Sequence, residues 1–261
     1  MPFKKINELY KYRELLITLI LREIKVRYKQ TILGSLWAVV QPLSLMVIFT
    51  IIFSFFLKIE SQGIPYPIFS YSALLPWTFF ATSLTFGSAS ILNNGSLVTK
   101  VYFPREILPF SSIGAAFLDF LVASVIFVGL LVYYKINITL NILYLIPLIF
   151  ILLIFTCSTV LFCASLVVLW RDLKFVVPLI VQLWMFATPV IYPVSKVPEK
   201  FRFIYSLNPM GTIIDNFRTV SVLGKSPNLK ELLLTAIISL ILFWLSYNYF
   251  KMQEKFFADI I

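Results

Sequence analysis

The sequence predicts an all-α, polytopic membrane protein with six transmembrane helices, organised as a single transmembrane domain over residues 1–261. Of the 261 residues, 60% are hydrophobic and only 13% are charged, and the mean hydropathy is +0.92. A soluble domain has roughly 25% charged and 45–50% apolar residues, and one soluble core cannot enclose so much apolar surface in a chain of this length. Several uncharged runs reach the length of about 20 residues that a helix needs to cross a bilayer.

Residues 1–35 are predicted to form a cytoplasmic helix at the membrane interface. Polar residues recur at three- and four-residue spacing and form one stripe: Lys11, Glu14, Thr18, Arg22, Lys25 and Lys29. The other faces are mostly apolar, as in a helix that lies in the interface plane. Arg13, Glu23 and Arg27 interrupt the apolar face, although Glu23 and Arg27 could pair at i,i+4. A solvated cytoplasmic helix is the alternative interpretation.

Six apolar stretches follow within residues 36–250. They are predicted to cross the membrane at 36–57, 68–92, 107–134, 142–170, 175–193 and 229–250. Because six spans return the chain to its starting side, both termini share one side of the membrane. The first 35 residues carry eight Lys and Arg against three Glu, so the positive-inside rule places them, and the tail 251–261, in the cytoplasm.

Residues 194–228 are then predicted to lie on the outer side as short periplasmic or re-entrant helices. The segment breaks at Asn208-Pro209 and at Gly211, and neither half is long enough to span. Such pieces persist at membrane depth only where protein buries them or where they line a water-filled cavity. The segment is basic, which the positive-inside rule disfavours but which could attract an anionic ligand; its basic residues are Lys196, Lys200, Arg202, Arg218 and Lys225.

The sequence shows no catalytic constellation. It has no HExxH, GxSxG or paired-carboxylate arrangement, and it has no His, which removes the usual proton shuttle and the commonest metal ligand. Cys157 and Cys163 lie in one apolar run and are interpreted as small hydrophobic residues. The stretch LGKS (223–226) lacks the preceding Gly of a phosphate-binding loop, because Thr219 stands there. The net charge of +10 is attributed to cytoplasmic membrane edges rather than to nucleic-acid binding.

Asp119 is the only acidic residue expected deep within a span. A carboxylate at mid-bilayer costs roughly 2.5–3.5 kcal/mol on insertion scales, so Asp119 should face the bundle interior or a wet cavity. Either it makes an interhelical hydrogen bond that fixes packing, or it lies beside a transport route. With no His and no other ionisable residue expected at its depth, a proton relay is disfavoured.

Aromatic residues make up 17% of the chain, and most should contact lipid or mark the membrane interfaces. A subset in the first and fifth spans is a candidate lining for a route through the protein: Trp37, Phe49, Phe53, Phe56, Trp184, Phe186 and Tyr192. Flat rings contact the C–H faces of sugars without selecting one arrangement of hydroxyls, which suits a polymer that slides. Packing and lipid contact are the alternative roles.

A short charged strip, NNGSLVTKVYFPRE (93–106), separates the second and third spans. Its first three residues already supply a turn, so a plain hairpin does not require the aromatic pair Tyr102–Phe103. An exposed aromatic pair flanked by Lys100 and Arg105 is typical of a docking surface.

Five blocks, in this order along the chain, resemble the transmembrane permease of O-antigen and teichoic-acid exporters, which are type-two ATP-binding-cassette transporters: REIKVRYKQTILGSLWAVVQPL, LLPWTFFATSL, NNGSLVTKVYFPREILP, WRDLKFVVPLIVQLWMFATPVIYP and LNPM. The resemblance implies a permease, not an enzyme, that pairs as a homodimer in the bacterial inner membrane. Two copies of a separate ATPase subunit would drive it and would bind ATP and Mg²⁺, so no cofactor is expected in this chain. The cargo would be polysaccharide linked to undecaprenyl diphosphate.

The resemblance also implies roles for particular residues. The strip matches the family's coupling element, which rests in a groove of the ATPase, and the turn after the fourth span matches a second contact. The coupling residues would be Lys100, Val101, Tyr102, Phe103, Pro104, Arg105, Glu106, Arg171 and Asp172. Spans one and five match the pore walls. Residues 194–228 match a periplasmic gate, with Lys196, Lys200, Arg202, Asn208 and Pro209.

The sequence leaves three other interpretations open. An ATP-independent lipid-linked-sugar flippase or secondary carrier would need ionisable groups along its route, where only Asp119 is available. A structural subunit would need neither two cytoplasmic contacts nor a broken, basic outer segment. A permease for a drug or a simple lipid would keep the ATPase and change only the cargo.

Overall fold

The computed structural model describes residues 11–58, 61, 63–196, 198, 200, 205 and 207–260, which are predominantly helical and contain no β-strand. The helices, numbered in chain order, are α1 (Arg13–Tyr28), α2 (Trp37–Phe49), α3 (Tyr66–Asn93), α4 (Gly95–Lys100), α5 (Ile107–Tyr133), α6 (Leu145–Leu169), α7 (Leu173–Phe186), α8 (Pro209–Ser221), α9 (Leu229–Gln253) and α10 (Phe257–Ile260). A π-helical segment, Thr50–Phe56, extends α2. The all-α fold class is confirmed.

Four of the predicted spans are long and apolar enough to cross a bilayer. Among the described residues these helices are Gly34–Phe56, Ile107–Tyr133, Leu140–Leu169 and Leu229–Ile260. Their length and composition are those of a multi-pass membrane protein. The second predicted span forms α3, which has 28 residues but many Ser and Thr. The fifth forms α7, whose 14 residues cover about 21 Å, less than a hydrocarbon core of about 30 Å.

The packing explains why α3 can carry so many hydroxyl groups. α3 is the central helix and contacts α2, α5, α6, α7 and α8, so protein rather than lipid surrounds its hydroxyl groups. Gly87 allows the close approach of α6, because an added Cβ would lie 2.5 Å from Val160 Cγ1. The fifth predicted span, 175–193, is helical only as far as Phe186. α7 ends at Phe186 because Pro189 lacks an N–H and disfavours helical backbone at Thr188.

α1 packs lengthwise against α5. An added Cβ at Gly114 would lie 2.6 Å from Ile20 Cδ1, so the two helices are in close contact. The predicted polar stripe is largely confirmed, since five of its six members are exposed: Lys11, Glu14, Thr18, Lys25 and Lys29. The pair predicted between Glu23 and Arg27 does not form, because Glu23 lies 3.6 Å from Arg22 instead and Arg27 turns toward α5.

A second apolar cluster closes the end of the bundle that carries the strip 93–106, here called the strip end. Its buried members are Leu19, Ile91, Val98, Phe103, Ile107, Leu108, Leu161, Ala164, Val168, Phe250 and Phe257. Phe257 is fully buried, with its ring 5.4 Å from that of Phe250. The short tail beyond α9 therefore folds back onto the bundle.

At the opposite end, α8 is a 13-residue helix buried against α3, α6 and α9. Pro209 occupies its first turn, where a missing N–H costs nothing. Arg218 is 1% exposed, and its guanidinium donates to the carbonyls of Phe69 (3.3 Å), Pro189 (3.3 Å) and Val190 (3.1 Å). The guanidinium also lies 3.6 Å from the Phe69 ring centroid. Protein thus encloses this helix, which is too short to cross a bilayer.

Candidate docking surface and inner cavity

The strip 93–106 presents one aromatic side chain outward. Tyr102 is 89% exposed, and its neighbour Val101 is 52% exposed, whereas Phe103 is only 5% exposed. The predicted exposed Tyr–Phe pair is therefore wrong for Phe103, which packs into the apolar cluster at the strip end. The longest exposed run of the strip is Thr99, Lys100, Val101 and Tyr102.

The charged residues at the end of the strip turn back toward α9. Glu106 is 2% exposed, and its Oε2 accepts a hydrogen bond from Lys251 Nζ at 2.6 Å. Glu254 accepts from Lys251 Nζ at 2.8 Å and from the Arg105 backbone N–H at 2.9 Å. We call these four residues the latch. The Lys251 ammonium pairs with both carboxylates within this chain, so Glu106 presents no free carboxylate to a partner.

The predicted second contact lies close to the same tail. Arg171 and Asp172 are exposed, and the Arg171 Nη2 atom donates to the Ile260 carbonyl at 3.2 Å. The tail thus contacts both predicted docking elements. Sequence reasoning gave the tail no role, although the i,i+3 spacing of Lys251 and Glu254 was a signal for a local ion pair.

Asp119 makes the interhelical hydrogen bond that the sequence predicted as one of its two roles. Its Oδ2 lies 2.5 Å from Arg27 Nη1, and its Oδ1 accepts from the Tyr28 hydroxyl at 2.7 Å. The expectation that no other ionisable residue reaches this depth is wrong, because Arg27 comes from α1. Burial is the main cause that raises the pKa of Tyr28 to about 12, and the neighbouring Asp119 carboxylate raises it further. The phenol therefore stays protonated and donates its hydrogen bond to Asp119.

Around this ion pair, α1, α2, α3 and α5 line a cavity of about 460 Å³ that opens to the surface of the chain, here called the inner cavity. It brings together two residues predicted for the transport route, Trp37 and Asp119. The other polar residues of its wall are Arg27, Tyr28, Gln41, Thr78, Thr82 and Thr85. None of these polar neighbours was singled out as a site residue from the sequence, because no motif links them.

The remaining residues predicted for the first-span route do not reach the inner cavity. Phe49 is buried and packs edge-on against Phe53, with ring centroids 5.8 Å apart. Phe56 is 76% exposed in the π-helical segment. The four aromatic residues of the first predicted span therefore differ in burial, from the buried Phe49 to the exposed Phe56.

In the fifth predicted span, Trp184 is partly buried and packs against the core. Its ring lies 5.3 Å from Phe80 and 6.5 Å from Trp77. Phe186 is 54% exposed. Tyr192 donates to the Phe186 carbonyl at 3.0 Å, so it closes the turn that follows α7.

The predicted gate residues are only partly described. Lys196 and Lys200 are exposed, and Arg202 lies outside the described residues. The Asn208 side chain donates to Thr188 Oγ1 at 3.0 Å, which ties the start of α8 to the turn after α7, and Pro209 is buried. Within the described ranges, no cluster of three or more His, Cys, Asp or Glu side chains could hold a metal ion.

Comparison with known proteins places this arrangement in a family. Residues 14–222 match the family model described as ABC-2 type transporter. The chain is 32% identical to the O-antigen export system permease protein RfbA of Myxococcus xanthus, over 98% of each chain. It is 31% identical to the RfbA protein of Klebsiella pneumoniae over 95% of each chain, and 22% identical to the polysialic acid transport protein KpsM of Escherichia coli over 91% and 92%. The chain therefore belongs to the ABC-2 type transporter family and is a membrane transport subunit rather than an enzyme.

Proposed function

We propose that this chain is the membrane-spanning subunit of an ATP-driven exporter that moves polysaccharide, linked to undecaprenyl diphosphate, across the bacterial inner membrane. The observation that carries the proposal is the similarity to an O-antigen export permease over 98% of both chains.

The proposed topology has six spans, formed by α2, α3, α5, α6, α7 together with the turn that follows it, and α9. Both termini and the strip end lie in the cytoplasm, where the basic first 35 residues favour them, and residues 194–228 form the periplasmic gate. Helix α7 carries an exposed apolar stripe along one face: Phe175, Leu179, Leu183 and Phe186. We propose that this stripe and α2 face a second copy of the chain, so that a homodimer forms the pore.

Two copies of a separate ATPase supply the energy and bind ATP and Mg²⁺. The ATPase would dock at the strip end, where Tyr102 is the most exposed aromatic side chain of the strip and aromatic residues are favoured as interface anchors. Arg171 and Asp172 lie on the same end and would form the second contact. Within the strip, Arg105 and Glu106 would act indirectly, by holding Tyr102 in position through the latch.

An ATP-independent carrier is less well supported. Such a carrier needs a carboxylate that can take up and release an ion along the route, and Asp119 is held by Arg27 and Tyr28. A drug or a simple lipid remains the alternative cargo, and the experiment below separates it from polysaccharide.

Deletion of the gene, with complementation by the wild-type chain, tests the proposal. We expect surface polysaccharide to disappear and lipid-linked polymer to accumulate in the inner leaflet, and an ATPase to co-purify with the tagged wild-type chain. Chemical analysis of the surface polymer identifies the cargo. Unchanged surface polysaccharide after deletion would refute the polysaccharide assignment, and an altered drug sensitivity in the same strain would favour the alternative.

A further inference from the structure

We infer that the inner cavity is a binding site for a neutral carbohydrate group within each single subunit. Most of its lining comes from α1, α3 and α5, whereas the proposed pore is built from α7 and α2, so the two sites share only α2. The inference rests on the proposed function for the source of the sugar, which would be a unit of the exported polymer. The chemistry of the cavity wall is the evidence for the class of ligand.

One wall of the cavity is a row of hydroxyl groups. Thr78, Thr82 and Thr85 follow the i, i+4, i+7 spacing of one helical face on α3, and Gln41 stands on α2. Among the described residues, the hydroxyls of Thr82 and Thr85 have no hydrogen-bond partner. Hydroxyl and amide groups both donate and accept, which matches a ligand whose own surface is covered with hydroxyls.

The charges in the cavity favour a ligand without net charge. Arg27 and Asp119 lie 2.5 Å apart and neutralise each other. A diphosphate would bring several negative charges beside the Asp119 carboxylate, and the single guanidinium of Arg27 would have to compensate both anions. The Nη2 atom of Arg27 is buried and has no hydrogen-bond partner among the described residues. A buried donor left unpaired costs free energy, and a ligand hydroxyl oxygen would remove that cost.

The cavity also offers flat apolar surface. Trp37 is 47% exposed on the cavity wall, and the Arg27 guanidinium lies 4.4 Å from the Phe86 ring centroid. Apolar walls with a few convergent polar groups are the usual composition of small-molecule sites, whose volumes are roughly 300–1,000 Å³. At about 460 Å³, the inner cavity falls within that range.

Photo-cross-linking in the assembled transporter tests the inference. In cells that synthesise the polymer, p-benzoylphenylalanine is placed at position 41 in the cavity, at position 186 in the proposed pore, and at position 125 as the control. Val125 of α5 is 69% exposed and does not line the cavity. We expect periodate-stainable carbohydrate on the chain cross-linked from position 41 and none from position 125. The double variant Thr82→Val/Thr85→Val, which keeps the side-chain shape, should lower the yield from position 41 about tenfold through the loss of two hydrogen bonds.

Different failures point to different errors. Carbohydrate from position 186 but only phospholipid from position 41 would overturn the inner site and leave the proposed function standing. A cross-linking yield from position 41 that the double variant leaves unchanged would also overturn the site. Carbohydrate from neither position, in a strain whose surface polysaccharide survives deletion of the gene, would overturn the proposed function together with the site.

Discussion

The latch between the strip and α9 leads to a quantitative prediction. Substitution Lys251→Met removes the ammonium group that contacts Glu106 at 2.6 Å and Glu254 at 2.8 Å. The Glu106 side chain is only 3% exposed, so it would become a buried carboxylate whose nearest remaining donor is the Tyr247 hydroxyl at 3.5 Å. Breaking a buried ion pair in this way costs about 3–5 kcal/mol.

We expect the lower end of that range, because a fifth of the Lys251 side chain remains exposed. A loss of about 3 kcal/mol corresponds to an increase of about 100-fold in the population of the open strip. Hydrogen exchange of the amides in 95–107 measures this opening directly, since local unfolding controls their exchange. Export should fall in parallel, because Tyr102 would lose its fixed position.

The matched control is Lys255→Met, which removes a charge from an exposed residue of the same tail and should leave exchange unchanged. The double variant Glu106→Gln/Lys251→Met no longer leaves the buried Glu106 carboxylate unpaired, so it should recover most of the protection. The explanation by a buried unpaired charge is wrong if the amides of 95–107 exchange at the wild-type rate in Lys251→Met. It is also wrong if these amides exchange as fast in the double variant as in the single one.

Three further substitutions have defined outcomes. Tyr102→Ala should leave the melting temperature unchanged, because the side chain is exposed. It should reduce ATPase co-purification and export about 30-fold, which corresponds to the 2 kcal/mol contributed by an interface hot spot. Normal co-purification would contradict the docking assignment. Gly87→Ala should destabilise the protein by about 1–3 kcal/mol in thermal unfolding because of its clash with Val160, and Val160→Ala should restore stability, whereas no restoration would exclude the clash as the cause. Arg218→Met leaves three carbonyls without their donor and should cost about 1–3 kcal/mol for each group left unpaired; a melting temperature equal to that of the wild type would show that these bonds do not stabilise α8.

Several local features could be predicted from the sequence with the correct physical reason. The polar stripe of α1 and the break at Asn208-Pro209 depend on residues close in the chain, and both are present in the structure. The end of α7 was also readable in principle, because Pro189 prevents a continuous helix, but the apolar run through 175–193 concealed it. Hydropathy measures how apolar a segment is and does not indicate where its helix ends.

The docking surface shows what local reasoning could not provide. Tyr102 and Phe103 are adjacent and chemically similar, yet one is exposed and the other buried. Their difference depends on the apolar cluster at the strip end, whose members come from distant parts of the chain. No property of the strip itself distinguishes the two rings.

The sequence by itself determined the fold class and the apolar runs, because transfer free energy accumulates residue by residue along a helix. Only the tertiary structure decided which charges meet. Arg27 and Asp119 are 92 positions apart, and Glu106 and Lys251 are 145 positions apart. Within its own segment, each of these four residues is a charge without a partner. In the fold, each one contacts the opposite charge of its pair, because a charge removed from water needs a partner that is close in space rather than in sequence.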